Sequence, residues 1–196
     1  MTPDLLRQAL QARTGGSSDF DLNPGTVLPK GRILRDAAVL VAVTETKRGP
    51  QIILTKRSSQ LKHHPGQIAF PGGKVERFDQ NPTAAALREA QEEVGLSPAH
   101  VRILGELPAH ETVTGFTVTP VLAWIEGGFD PIAEAGEVEE VFSVPLEFVT
   151  NPANFRVESR LWLGAARRYY AAPYGPYYIW GATARILHAL AERLQT

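Results

Sequence analysis

The chain contains no cysteine. Disulfide bridges, thiol nucleophiles and thiolate metal sites are therefore excluded. It also lacks an excess of either charge: 20 lysines and arginines stand against 21 aspartates and glutamates, a formal net charge of −1. No long-range field of one sign draws such a chain to nucleic acid or to an anionic membrane, and neither is expected as a partner. No apolar run approaches the ~20 residues needed to span a bilayer. The first residues carry no signal-peptide pattern, so the expected location is cytoplasmic. What remains is ordinary for a globular protein: 196 residues, 43% hydrophobic and 21% charged, with no internal repeat. One domain over residues 1–196 is expected, long enough to bury a real core, with residues 1–31 forming an N-terminal helix and a surface arm.

One stretch, residues 72–96, organises the chain. Gly72 and Gly73 open it and Gly95 closes it. Asn81 followed by Pro82 is a helix start, because an Asx side chain caps and proline suits the first helical position. Residues 83–94 are rich in Ala, Leu, Arg, Glu and Gln, all strong helix formers. Gly95 supplies the left-handed residue that ends a helix. Glu89, Glu92 and Glu93 then share one helical face, while Leu87, Ala90 and Val94 mark another, suited to a sheet. Like charges at this spacing repel, and a hard cation such as Mg²⁺ or Mn²⁺ would relieve them. A merely solvated acidic face is the alternative. Arg88 stands one turn before Glu92 and is placed to hold it.

The remaining chain reads as strands and connections. A helix capped by Thr2 or Asp4 runs to about Arg13, and residues 15–31 form a connecting arm on the surface. Residues 37–43 are a nearly continuous apolar run, read as a buried strand, and residues 51–56 pair back on it. Further strands are expected at 67–70, 101–107, 117–125 and 137–143, with a short helix beginning near Leu146. A last helix, residues 180–194, packs Ala184, Leu187, Ala191 and Leu194 on the sheet. His63 and His64 lack the helical spacing of paired metal ligands, which leaves ordinary surface residues or phosphate contacts. The chain's 5 tyrosines all fall between Tyr169 and Tyr178; a core-packing strand is the favoured reading, an adenine-stacking surface the other.

Arg88-Glu89-Ala90-Gln91-Glu92-Glu93-Val94-Gly95-Leu96, with Gly73 upstream, resembles the Nudix box. Either Asp79 or Gln80 fills its first acidic position, where Glu is usual; Asp79 is the charged choice, and the spacer from Asp79 to Arg88 is one residue longer than in the common box. Directly upstream, Leu54, Thr55, Arg57, Ser58, Gly66, Gln67, Ala69, Phe70, Pro71, Gly72 and Gly73 resemble the signature of the coenzyme A pyrophosphatase branch, which also carries the longer spacer. Lys62 stands there in place of arginine.

The resemblance implies an α/β Nudix fold, a mixed β-sheet sandwiched between helices with the box as loop–helix–loop. It implies Mg²⁺ or Mn²⁺ held by Glu89, Glu92, Glu93 and the Gly73 carbonyl, and a small-molecule substrate touched by Arg57, Lys62, His63, Phe70 and Gly72. The catalytic set is then Glu92, Glu93 and Arg88, with the general base drawn from Glu92, Glu93, Glu139 or Glu140. The implied reaction is hydrolysis of the diphosphate bond of coenzyme A, or of its acyl or oxidised forms, to adenosine 3′,5′-bisphosphate and 4′-phosphopantetheine, with Arg57 and Lys62 near the 3′-phosphate. ADP-ribose or NADH as substrate, or a non-catalytic nucleotide-sensing module, are the alternatives. A homodimer is left open.

Overall fold

The computed structural model describes residues 2–12, 15–162 and 164–195. In chain order the elements are α1 (Pro3–Gln11), β1 (Ser17–Ser18), β2 (Arg35–Thr46), β3 (Gly49–Arg57), β4 (Ile68–Ala69), β5 (Gly72–Lys74) and α2 (Pro82–Val94). There follow β6 (Val101–Glu106), β7 (His110–Glu111), β8 (Phe116–Ile125), β9 (Val138–Pro145), α3 (Leu146–Val149), β10 (Arg156–Trp162), β11 (Ala165–Tyr174), β12 (Tyr177–Trp180) and α4 (Gly181–Arg193).

The larger sheet is mixed. Its centre is β2, which runs parallel to β8 over Arg35↔Phe116 to Thr44↔Ile125 and antiparallel to β3 and β5. Strand β2 explains the continuous apolar run, because both of its faces are buried. Ala38, Leu40 and Ala42 pack under α2 with Ala85, Ala86, Ala90 and Val94. Val41 and Val43 face the opposite layer, where Leu6 of α1, Leu146 of α3 and Ile186, Leu187 and Leu190 of α4 close the core. The helices thus sandwich the mixed sheet. Small alanines on α2 let that helix lie close to the strands that carry the glycine loop.

The signals at the ends of α2 act as their chemistry dictates. The Asn81 side chain accepts from the Ala84 N–H at 2.8 Å, and Gly95 adopts φ 72°. Thr2 caps α1, which ends at Gln11; the expected end near Arg13 lies outside the described residues.

Three features differ from the sequence expectation. Residues 72–74 are a strand, because β5 finds unpaired backbone on β2. The N-terminal arm is not purely superficial, since Ser17 is buried and β1 runs parallel to β7. Strands β10, β11 and β12 form a separate antiparallel sheet, of which only the tyrosine-rich part was expected as strand. Within it Tyr170, Tyr174 and Tyr177 pack against the core, whereas Tyr178 is exposed. No helix among the described residues is long and apolar enough to cross a membrane.

Candidate active site

The end of the molecule formed by β5 and α2 gathers the box residues. Gly73 lies against the Glu89 side chain so closely that a Cβ there would come within 2.6 Å of its carboxylate. A Cβ on Gly72 would meet the Ala38 carbonyl oxygen at 2.4 Å. Gly72 therefore requires glycine for the β2–β5 pairing, whereas a side chain at position 73 would displace the Glu89 carboxylate. The Gly72 N–H donates to Glu93 Oε2 at 3.0 Å.

Arg88 is the hub of this end. Its Nε and Nη2 donate to the two Asp79 oxygens at 3.1 and 3.0 Å, and its Nη1 reaches Glu89 at 2.9 Å and Glu92 at 3.0 Å. Such a planar fork suits paired carboxylates as lysine cannot. The Asp79 carboxyl is held below its usual pKa, chiefly by this hydrogen bonding to Arg88. Gln80 is exposed.

The inner carboxylates behave differently. Burial pushes the Glu93 carboxyl up to about 7, against the Gly72 N–H and with help from the charges of Glu89 and Glu137. Burial likewise raises Glu89, which Arg88 opposes and Glu92 and Glu137 reinforce. Glu89 and Glu93 thus repel each other at the buried edge of α2, and the charge of the exposed Glu137, on the loop before β9, adds to both. As arranged, with Arg88 bridging Glu89 and Glu92, no three acidic or imidazole groups among the described residues converge on one ion. The hard oxygen donors, with charge that Arg88 and Arg57 offset only in part, nevertheless match the chemistry of Mg²⁺ or Mn²⁺.

Glu137 was not among the residues singled out from sequence. It ends a loop whose backbone is pinned to α2, with Ile132 N–H donating to Val94 O at 2.9 Å and Glu134 N–H to Glu93 O at 3.0 Å. The only sequence cue was acidity after Gly136. The two residues named instead are engaged elsewhere: Glu139 pairs with Lys56 at 2.6 Å, and Glu140 accepts from the Tyr177 hydroxyl at 2.6 Å. The short run 139–140 lies on β9, whose register sets Glu140 opposite Lys56, while Glu137 precedes the strand.

Beside the carboxylates lies a cavity of about 290 Å³, walled by β4, the arm, the β10–β12 sheet and the first turn of α4. Arg57 joins the two regions. It lines the cavity, and its Nη1 stands 4.0 Å from Glu93. Its Nε is buried with no hydrogen-bond partner among the described residues. Phe70 also lines the cavity, whereas Lys62 and His63 are exposed and lie outside its lining; His64 takes that place. The chain turns there, with His64 at φ 55°. Arg160, Arg167, Tyr169 and Trp180 complete the basic and aromatic wall. The Arg-Arg-Tyr-Tyr run at 167–170 was the available hint, but pairing with Arg160 is a matter of strand register.

This architecture is that of the Nudix hydrolases. A MutT/nudix family protein from Enterococcus faecalis superposes over 88% of this chain and 66% of its own, with a TM-score of 0.53 and 17% identity. An Ap4A hydrolase from C. elegans superposes over 57% of this chain and 80% of its own, with a TM-score of 0.50 and 20% identity. At such identities the likeness concerns the fold. The NUDIX domain family matches residues 34–163. The Nudix hydrolase NudL of Citrobacter koseri is 42% identical over 160 residues, which are 82% of this chain and 83% of the relative; NudL of Enterobacter is 41% identical over the same shares. The chain belongs to the Nudix family, enzymes that hydrolyse diphosphate bonds in nucleoside diphosphate derivatives and generally use divalent cations.

Proposed function

We propose that the protein hydrolyses the diphosphate bond of coenzyme A to adenosine 3′,5′-bisphosphate and 4′-phosphopantetheine, with Mg²⁺ or Mn²⁺. One observation carries the reading. The segment with the branch signature, residues 53–73, delivers Arg57 to the junction between the box carboxylates and the cavity, 4.0 Å from Glu93. A diphosphate seated at Arg57 would therefore have its scissile bond beside the carboxylates and one substituent in the cavity.

Glu89, Glu92, Glu93 and the Gly73 carbonyl would hold the cation, which when bound polarises phosphoryl oxygen and makes water a better nucleophile. Arg88 keeps Glu89 and Glu92 in position, itself fixed by Asp79. Arg57 orients the diphosphate through charge-assisted hydrogen bonds. Glu137 is the proposed general base, lying beside Glu89 and Glu93 on a loop outside the box. Water oxygen bonds to one phosphorus, its proton passes to Glu137, and the bridging P–O bond breaks to release the second phosphate. The retained carboxylates argue against a non-catalytic sensing module, which would have no use for such costly groups.

Coenzyme A, ADP-ribose, NADH and oxidised dGTP, each incubated with the protein and Mg²⁺, distinguish the readings by product mass. The expected result is cleavage of coenzyme A into the two named products. Turnover of ADP-ribose or NADH with coenzyme A left intact would move the substrate, and no turnover of any of them would favour the sensing module.

A further inference from the structure

The cavity carries positive charge that the box chemistry does not use. Strands β10 and β11 set Arg160 directly opposite Arg167. Like charges facing each other across an antiparallel pair destabilise a sheet, so this pairing contributes nothing to folding. Arg167 is partly balanced by Asp19 at 3.6 Å. Arg160 has no ion-pair partner among the described residues, because its neighbour Glu158 is taken by Arg156 at 2.6 Å and by the Tyr178 hydroxyl. Instead the Arg160 guanidinium lies 4.3 Å from the centroid of the Trp180 ring, which holds it in place and leaves its donors open. The same field reaches across the cavity. Partial burial, then the charge of Arg57, and more weakly those of His63 and Arg160, outweigh a hydrogen bond to Gln67 and lower the pKa of His64.

We propose that Arg160, with Arg167 beside it, binds a phosphomonoester of the substrate at the mouth of the cavity, away from the diphosphate that is cleaved. A doubly charged phosphate is the ligand suited to two arginines paired in strand register, and the planar fork on a ring is the arrangement that recognises it. On the reading of coenzyme A as substrate, which this inference deepens and rests on, the group is the 3′-phosphate, the one phosphomonoester that molecule has. The 3′-phosphate contact thereby moves from Lys62, which lies outside the cavity, to the β10–β11 pair.

The test compares kcat/KM for coenzyme A and 3′-dephospho-coenzyme A in wild type, Arg160→Gln and Arg160→Lys. At the exposed rim one charge-assisted contact amounts to about tenfold. Wild type is expected to prefer coenzyme A by about that factor, Arg160→Gln to bring the ratio towards one, and Arg160→Lys to keep part of it. A ratio near one in wild type, or an unchanged ratio in Arg160→Gln, overturns the subsite while leaving coenzyme A as substrate. If neither compound is cleaved, the substrate reading has failed, and calorimetry without added cation decides the subsite alone. Adenosine 3′,5′-bisphosphate should then bind wild type more tightly than adenosine 5′-monophosphate, and Arg160→Gln should abolish the difference; equal binding in wild type overturns it. Thermal melting controls for folding: relief of the Arg160–Arg167 repulsion should offset the lost ring contact, leaving the melting temperature of Arg160→Gln close to wild type.

Discussion

The two ends of the proposed substrate site are built in opposite ways. At the box end, Gly73, Asp79, Arg88, Glu89, Glu92 and Glu93 lie within one short run of chain, and their contacts are set by helical spacing and a glycine loop. At the cavity end, Asp19, Arg57, Arg160, Arg167 and Trp180 come from five separate stretches, joined by strand register and by the N-terminal arm. Asn23 shows how the arm works. Its side chain accepts from the Arg168 N–H at 2.9 Å and donates to the Arg168 carbonyl at 2.8 Å, pairing with β11 as a strand would. Arg185 of α4 reaches Asp21 at 2.8 Å, and Asp19 accepts from the Val113 N–H at 2.9 Å. A locally built site places charge with little dependence on the rest of the fold. A site assembled from distant segments is shaped by everything that holds those segments together.

The contrast predicts that substitutions of the box glutamates lower turnover without unfolding, whereas substitutions in the arm act on stability and substrate affinity. The largest effect is expected for Glu93→Gln. The amide can still accept from the Gly72 N–H, so the melting temperature should hold while kcat falls on the order of a hundredfold or more, the scale of lost cation chemistry. Near-normal turnover in Mg²⁺ would refute the role of this carboxylate. Chelation of divalent cations should stop turnover in the wild type, and added Mg²⁺ or Mn²⁺ should restore it; activity that persists in chelator breaks the box half of the comparison.

Next in size is the Arg88 anchor. Asp79→Ala leaves Arg88 Nε unpaired and Nη2 with only the Lys74 carbonyl, and should lower stability by about 1–3 kcal/mol, with activity falling as Glu89 and Glu92 loosen. Gln80→Ala, at an exposed neighbour, should stay within about 0.5 kcal/mol. Denaturant titration of the two variants checks the order, and the reverse order would assign the first acidic position to Gln80.

Asn23→Ala removes both contacts to Arg168 and should cost about 1 kcal/mol, raising KM more than it lowers kcat. A fall in kcat alone would show that the arm serves the chemistry instead of the cavity. The smallest effect concerns acid. Burial raises the Asp19 carboxyl, but neighbouring His110, the Val113 N–H and Arg167 outweigh it, so its folded pKa lies below the ordinary 3.8. His110 Nε2 is 3.3 Å from the Asp19 carboxylate, although not in the alignment of a formed hydrogen bond. Because the folded pKa is depressed, the contribution of Asp19 is complete above 3.8 and is lost as pH falls through the folded value. The stability gap between wild type and Asp19→Asn should therefore be flat above that pH and narrow below it. A gap that does not change on acidification would remove Asp19 as a pH-sensitive tie of the arm.

The sequence by itself determined the box end almost completely. Asn81-Pro82, the alanine-rich run and Gly95 set the ends and the buried face of α2 through short-range sterics and hydrogen bonding, so the row of carboxylates and its Arg88 partner followed from spacing alone. The apolar run at 37–43 likewise announced a central strand, because a strand buried on both faces has no polar side to show. Only the tertiary structure decided the rest. That Glu137 stands beside Glu89 and Glu93 depends on a loop laid over the end of α2; that Arg160 faces Arg167 depends on the register of two strands; and that Ser17 is buried, its hydroxyl 2.9 Å from His110 Nδ1, depends on pairing across most of the domain. These contacts join residues far apart in sequence, where no periodicity or capping rule reaches, and they form because backbone groups and charges brought inside the molecule must find partners wherever the packed elements place them.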